Sequence, residues 1–258
     1  MKSLIMIILS VTIGACAPPQ LKINDPTVTL GPIASKYETA GNRLIAAALK
    51  DTSGFERLAE MCDTFGPRFS GTDNLEKAID WILSEMNRDG LSNVHGEAVM
   101  IPKWVRGNES ASMISPWKKE LHMLGLGGSI GTPPEGITAD IMVVSSFDEL
   151  EEMADEAKGK IVLFNVPFTN YGKTVRYRSG GAVAASKAGA VASLIRSVGP
   201  YSMNTPHTGN SRYEKGIRKI PHAAITVEDA AMIGRMVNRG QNVTVNLKME
   251  GRYEEDVP

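Results

Sequence analysis

Apolar residues fall at helical spacing in the first third of the chain and then gather into short runs, and that change of period divides it. Phe55, Leu58, Ala59, Cys62 and Phe65 share one face of a helix that Ser53 with Glu56 opens as a capping box and Gly66-Pro67 stops. On that stripe Cys62 reads as a small buried hydrophobe. A second stripe follows at once, with Leu75, Ala78, Ile79, Ile82 and Met86 between a cap at Asp73 and Glu76 and a stop at Gly90. A further helix is expected over residues 35–50. The break between the stripes, CDTFGPRFSG at residues 62–71, is an abrupt way to leave a helix and start another.

From about residue 94 the texture becomes β-rich, with runs at 96–101, 120–124, 141–144, 160–166 and 190–195. Helices are interleaved with them. Ser146 with Glu149 caps one that carries Phe147, Leu150, Ala154 and Ala157, and Thr226 opens another with Ala230, Ile233 and Met236 before Gly240. Val243, Val245, Leu247 and Met249 then keep a period of two. Strand and helix in alternation predict an α/β fold whose sheet is at least partly parallel. There is no internal repeat and no low-complexity tract.

Charge removes one class of partner. The 28 Lys and Arg against 29 Asp and Glu leave a net charge of -1, so nucleic acid is not expected. The start of the chain changes the compartment: Met1-Lys2, an apolar run over residues 4–13 and the small pair Gly14-Ala15 read as an export signal. That run is about half of the roughly 20 residues that span a bilayer. Ile13-Gly14-Ala15-Cys16 also spells a lipobox, with Cys16 as the lipidation site and a plain signal peptide as the alternative. With Cys62 the only other cysteine, a disulfide framework is not expected. Asn108 and Asn242 head glycosylation sequons, which matter in a eukaryotic secretory route.

Assembled chemistry is scarce. Gly127-Gly128-Ser129-Ile130-Gly131 matches a nucleophile elbow, but Thr132-Pro133-Pro134-Glu135-Gly136 cannot form the helix that an elbow requires after its serine. The same residues lack the third glycine of a dinucleotide fingerprint, so a turn between strands is preferred. His95, His122, His207 and His222 stand apart, without metal-ligand spacing, and His122 and His222 lie beside apolar runs as core or edge histidines do. His207 sits in a loop dense with hydroxyls and amides, the kind that recognises ligands or simply covers the surface. Arg176-Tyr177-Arg178, with Tyr171 upstream, either grips a carboxylate or packs its arginines over an alanine-rich helix, and packing is preferred. Glu149, Glu151, Glu152, Asp155 and Glu156 read as a solvated helix face.

A resemblance adds what the spacing does not. CDTFGPRFSG at residues 62–71 and NLEKAI at 74–79 closely resemble the carboxypeptidase Q (plasma glutamate carboxypeptidase) family of zinc metallopeptidases. So do RGNESA at 106–111, LGLGGSIGTPPEGITA at 124–139, SFDEL at 146–150, SLIRSV at 193–198, PHTG at 206–209 and ITVEDA at 225–230. The likeness extends over about residues 35–250.

That resemblance implies a layout. Residues 1–16 would be the signal, 17–34 a spacer or pro-segment, 35–93 a helical edge of a catalytic domain, 94–250 a protease-associated domain, and 251–258 the return to the catalytic domain. It also implies hydrolysis of dipeptides and short peptides by water activated on two zinc ions, whose ligands begin downstream of the matched residues. No catalytic or metal-binding residue therefore carries over, and the chain alone is expected to be inactive. Its implied partners are a peptidase domain in the same protein and a peptide substrate, with a homodimer left open. Thr205, His207 and Thr208, or Arg176 and Tyr177, are the expected contacts to substrate or to the catalytic domain. The rival expectation is a stand-alone, non-catalytic binding module of the same domain type. The expected destination is export: secreted, periplasmic or lipid-anchored through Cys16.

Overall fold

The computed structural model describes residues 31–201 and 204–258. The expected signal, the lipidation site Cys16 and most of the spacer lie outside the described residues. Two compact units divide at Glu60 and Met61.

In the first unit, α1 (Pro32–Ala48) starts on a proline, whose fixed φ suits a first turn, and buries none of its residues. Ile33, Leu44 and Leu49 are exposed. The next helix, α2 (Ser53–Phe65), starts within this unit and likewise buries nothing. Ser53 is not its cap, a correction of one residue: Ser53 lies inside the helix and gives its N–H to Asp51 at 2.9 Å, while Thr52 holds Glu56 at 2.9 Å. Asp51 accepts from both the backbone and the hydroxyl of Ser53, which lowers its pKa.

The second unit opens on the break after α2, and the structure gives that break a purpose. Gly66 turns the chain at a positive φ of 58°, and the Arg68 guanidinium reaches back to the carbonyls of Met61 at 3.1 Å and Gly66 at 2.5 Å. It thereby ties the turn back onto the last turn of α2. Cys62 is exposed rather than buried, and its sulfur lies 3.8 Å from Arg68. The following helix, α3 (Asp73–Arg88), is capped by Thr72, whose hydroxyl accepts from Leu75 N–H at 3.4 Å, so the cap falls one residue before the expected Asp73.

Eight strands form one sheet: β2 (Glu109–Ser115), β3 (Lys119–Leu121), β4 (Met123–Gly125), β5 (Ile137–Val144), β6 (Ile161–Phe164), β7 (Ala192–Arg196), β8 (His222–Ile225) and β9 (Thr244–Met249). Their order is β3-β2-β9-β5-β6-β7-β8-β4. The four from β5 to β8 are parallel and the other pairings antiparallel, so the fold is mixed α/β. The run expected at 96–101 is not a strand. Val99 and Met100 are exposed without a partner, and only Ile101 bridges, to Val257.

The two outer strands, β3 and β4, are separated in sequence by His122 alone, which brings the sheet close to a closed barrel. Side chains complete the seam. Glu109 Oε2 accepts the Gly125 N–H at 3.0 Å, and the Arg106 guanidinium donates to the Gly125 carbonyl. At the join, Asp229 accepts from His122 N–H at 3.1 Å and Lys119 Nζ at 2.7 Å.

Each face of the sheet has its own core. Met113, Leu163, Leu194, Val245 and Leu247 pack with Ala230, Ile233 and Met236 of α7 (Val227–Asn238). On the other face Val144, Val162, Phe164 and Ile195 meet α4 (Phe147–Glu152), α5 (Ala154–Ala157) and α6 (Tyr171–Lys187). Thr226 caps α7 and Ser146 caps α4, as their spacing predicts. A two-stranded ribbon, β1 (Trp104–Val105) with β10 (Arg252–Tyr253), carries the chain into and out of the sheet.

Candidate functional site

The site residues proposed from the sequence separate into two groups that face different ways along α6. Arg176 lies over the rings of Phe147 and Tyr177, at 5.1 and 5.5 Å, and Tyr177 packs on Phe147 and Phe164 with centroids 4.6 and 5.6 Å away. That pair takes the packing role. Arg178 and Tyr171, seven residues apart and so on one face of the helix, turn instead to the loop that holds Thr205, His207 and Thr208.

Helix and loop are fixed locally before they meet. Asn170 caps α6 by accepting the Lys173 N–H at 3.0 Å, which orients the first turn and Tyr171. The loop is pinned to the carboxyl end of β7, where Ser197 Oγ accepts the His207 N–H at 2.6 Å. Arg178 then closes the arrangement: Nη1 donates to His207 Nδ1 at 3.1 Å and to the Thr208 carbonyl at 2.9 Å, and Nη2 to the Tyr171 hydroxyl at 2.8 Å. Its guanidinium lies 5.6 Å from the Tyr171 ring centroid, and the His207 ring meets Tyr171 edge-on at 6.0 Å. The guanidinium also presses on Gly209, where a Cβ would collide with it. Beside this cluster is a depression of about 540 Å3, lined by Phe168, Tyr171, Val198, Pro206, His207 and Thr208 among others.

His222 lies directly beneath. It is fully buried, with Nδ1 3.2 Å from the Ser193 carbonyl oxygen and Nε2 3.0 Å from that of Arg178. Burial pulls its pKa down to about 4, against the opposing pull of those carbonyls, so the ring is neutral at pH 7. His122, by contrast, is exposed, with its Nε2 2.9 Å from the Asn204 amide.

Ser129 is a structural hub and not a nucleophile. It is buried, its Oγ accepts the His222 backbone N–H at 2.9 Å, and its carbonyl accepts the Trp104 indole N–H at 2.9 Å. The sequon residues are exposed but engaged: Asn108 donates to Glu250 at 3.1 Å and Asn242 to Asp140 at 3.0 Å. Glu250 is held below its usual pKa chiefly by the Asn108 backbone N–H, and Asp140 chiefly by the Thr244 hydroxyl. Among the described residues no three His, Cys, Asp or Glu side chains come together as a metal site. This donor set does not fit the two zinc ions implied by the resemblance.

No family model matches the chain. Carboxypeptidase Q of Bos taurus is 55% identical over 202 residues, covering 78% of this chain and 43% of the relative. The Xenopus laevis protein is 52% identical over 218 residues, covering 83% and 46%. The chain is a carboxypeptidase Q homologue over part of that protein's length. It spans less than half of these curated relatives. A crystal structure of a peptidase M28 precursor from Shewanella amazonensis superimposes with a TM-score of 0.81 at 32% identity, covering 86% of this chain and 52% of that one. The similarity to carboxypeptidase Q thus rests on sequence, and that to the M28 peptidase precursor on the fold as well.

The sequence offered Arg176-Tyr177-Arg178 with Tyr171 upstream as one candidate and residues 205–209 as another, without joining the two. Arg178 was present in the motif, yet its separation of 29 positions from His207 hides their meeting from any local pattern. Phe168 and Ser197 gave no signal of their own.

Proposed function

We propose that the chain is part of an exported zinc-dependent carboxypeptidase or dipeptidase of the carboxypeptidase Q type. In this reading α2 and α3 form an edge of the catalytic domain, the sheet forms a protease-associated domain, and the His207 loop faces peptide substrate or the catalytic domain. The observation that carries it is identity above one half across 202 residues.

The described residues do not assemble the ligands for a metal-activated water, so their own share is to bind and orient. Arg178 holds the loop in one conformation, Ser197 ties that loop to β7, and the neutral, buried His222 supports the turn of α6 above it. Export rests on the start of the chain, and lipidation at Cys16 on the lipobox spelling.

The decisive experiment takes the protein from its native source. An intact mass well above the 27.8 kDa of this chain, with bound zinc and hydrolysis of dipeptides, is the expected result. A mass matching the processed chain, without hydrolysis, would replace the peptidase reading with that of a stand-alone binding module.

A further inference from the structure

The depression beside Arg178 combines a position, a wall chemistry and a charge that point to one kind of ligand. It opens past the carboxyl ends of β6 and β7, between the segment with Phe168 and Tyr171 on one side and residues 198–201 and 205–208 on the other. Beyond the carboxyl ends of parallel strands the connections diverge and leave room for ligands. Its volume of about 540 Å3 is ample for one amino-acid residue and its neighbour. The walls are mostly rings and aliphatic groups, with Tyr171 49% exposed, more than a packing role needs.

The polar groups of the lining are hydroxyls and the His207 ring, with the Arg178 guanidinium behind them. Among the described residues no Asp or Glu lines the depression. Arg178, behind it, is engaged by a ring nitrogen, a carbonyl and a phenol, and among the described residues by no carboxylate. Its charge is therefore not neutralised locally. Because His207 Nδ1 accepts from Arg178, the ring proton is on Nε2, which remains available as a donor.

We propose that this depression binds the carboxy-terminal residue of a short peptide, with an apolar or aromatic side chain between Phe168, Tyr171 and Val198. The terminal carboxylate meets the Nε2–H of His207 in the positive field of Arg178. A fully acidic residue is disfavoured, since its side chain would lie against apolar walls. The choice of peptide over other carboxylates rests on the peptidase reading, whereas binding is measured on this chain without hydrolysis, so the two ideas fail separately.

The test titrates the chain with N-acetyl-phenylalanine and with its amide, by calorimetry. Saturable binding of the acid is expected, with the amide weaker by about tenfold, as befits loss of a charge-assisted contact. His207→Ala should remove most of that difference, and Tyr171→Ala should weaken both ligands. Both positions are exposed, and circular dichroism will show whether each variant is folded. Should Tyr171→Ala fail to fold, the comparison of acid with amide in His207→Ala still decides. Equal binding of acid and amide, no saturable binding of either, or a preference for the acid that survives in His207→Ala overturns the proposal.

Discussion

His222 makes the stability of this chain depend on pH in a window of its own. An unfolded histidine takes up a proton near pH 6.5, whereas the buried ring resists protonation down to about pH 4. Between those values the unfolded state binds a proton that the folded state refuses. Stability is therefore fully present above pH 6.5 and is lost as pH falls towards 4, the loss reaching roughly 2–3 kcal/mol at pH 4.5. The neutral ring can donate to only one of the two carbonyls that flank it, at 3.2 and 3.0 Å. A second proton would satisfy both, but burial of the charge outweighs that gain. Chemical denaturation at pH 7.0 and 4.5, at constant ionic strength, measures the difference. His222→Gln keeps one amide donor for the carbonyls and removes the titration, so its stability should change by less than about 1 kcal/mol across the same interval. Asp140 and Glu250, whose ordinary values are 3.8 and 4.5, have their pKa lowered, so their contributions are lost mainly below pH 4.5, beneath most of the His222 window. A wild-type chain equally stable at both pH values, or a Gln variant as sensitive as wild type, would refute the argument.

Other substitutions test other parts of the structure. Asp229→Ala removes the carboxylate that holds the His122 N–H and Lys119 at the seam between β3 and β4, and should cost about 1–2 kcal/mol by chemical denaturation. Leu247→Ala, from a fully buried position on β9, should cost about 3 kcal/mol by the same measurement, with no local signature at the His207 loop. Gly209→Ala places a methyl group against the Arg178 guanidinium and should release the loop. Faster amide exchange over residues 204–210, with global stability changed by less than about 1 kcal/mol, is the expected readout.

The sequence disclosed elements wherever apolar period and capping chemistry agreed. Thr226 before α7 and the alternation along β9 have packing that matches their pattern, whereas on α3 only Ala78 of the expected stripe is buried and Ile79, Ile82 and Met86 are exposed. Caps slipped by one residue at Thr72 because Asp and Thr are both good caps and the choice depends on backbone angles. Residues 96–101 misled for a related reason: Val99 and Ile101 favour strands, yet a strand needs a neighbour and only Ile101 finds one. The opposite failure occurs at β2, whose ESASMIS looks polar although Ala111 and Met113 are buried. The turn after β4 was legible because prolines forbid a helix there. The cluster of Tyr171, Arg178 and His207 was not, because only the β6-α6-β7 crossover and the loop after it bring those residues together.

The ribbon of β1 and β10 sets how the sheet responds to a pull from its flanks. Ile101 pairs with Val257 and Trp104 with Tyr253, so both flanking segments leave from the same end of the ribbon. Tension drawn between them would open the ribbon one pair at a time, like a zipper, before any load reached the strands behind it. Sequential rupture of this kind needs little force, since each step breaks few hydrogen bonds. Arg106, held between Phe69 and Trp104 and donating to Gly125, stands where the ribbon meets the barrel. It would act as the stop at which unzipping ends and resistance rises.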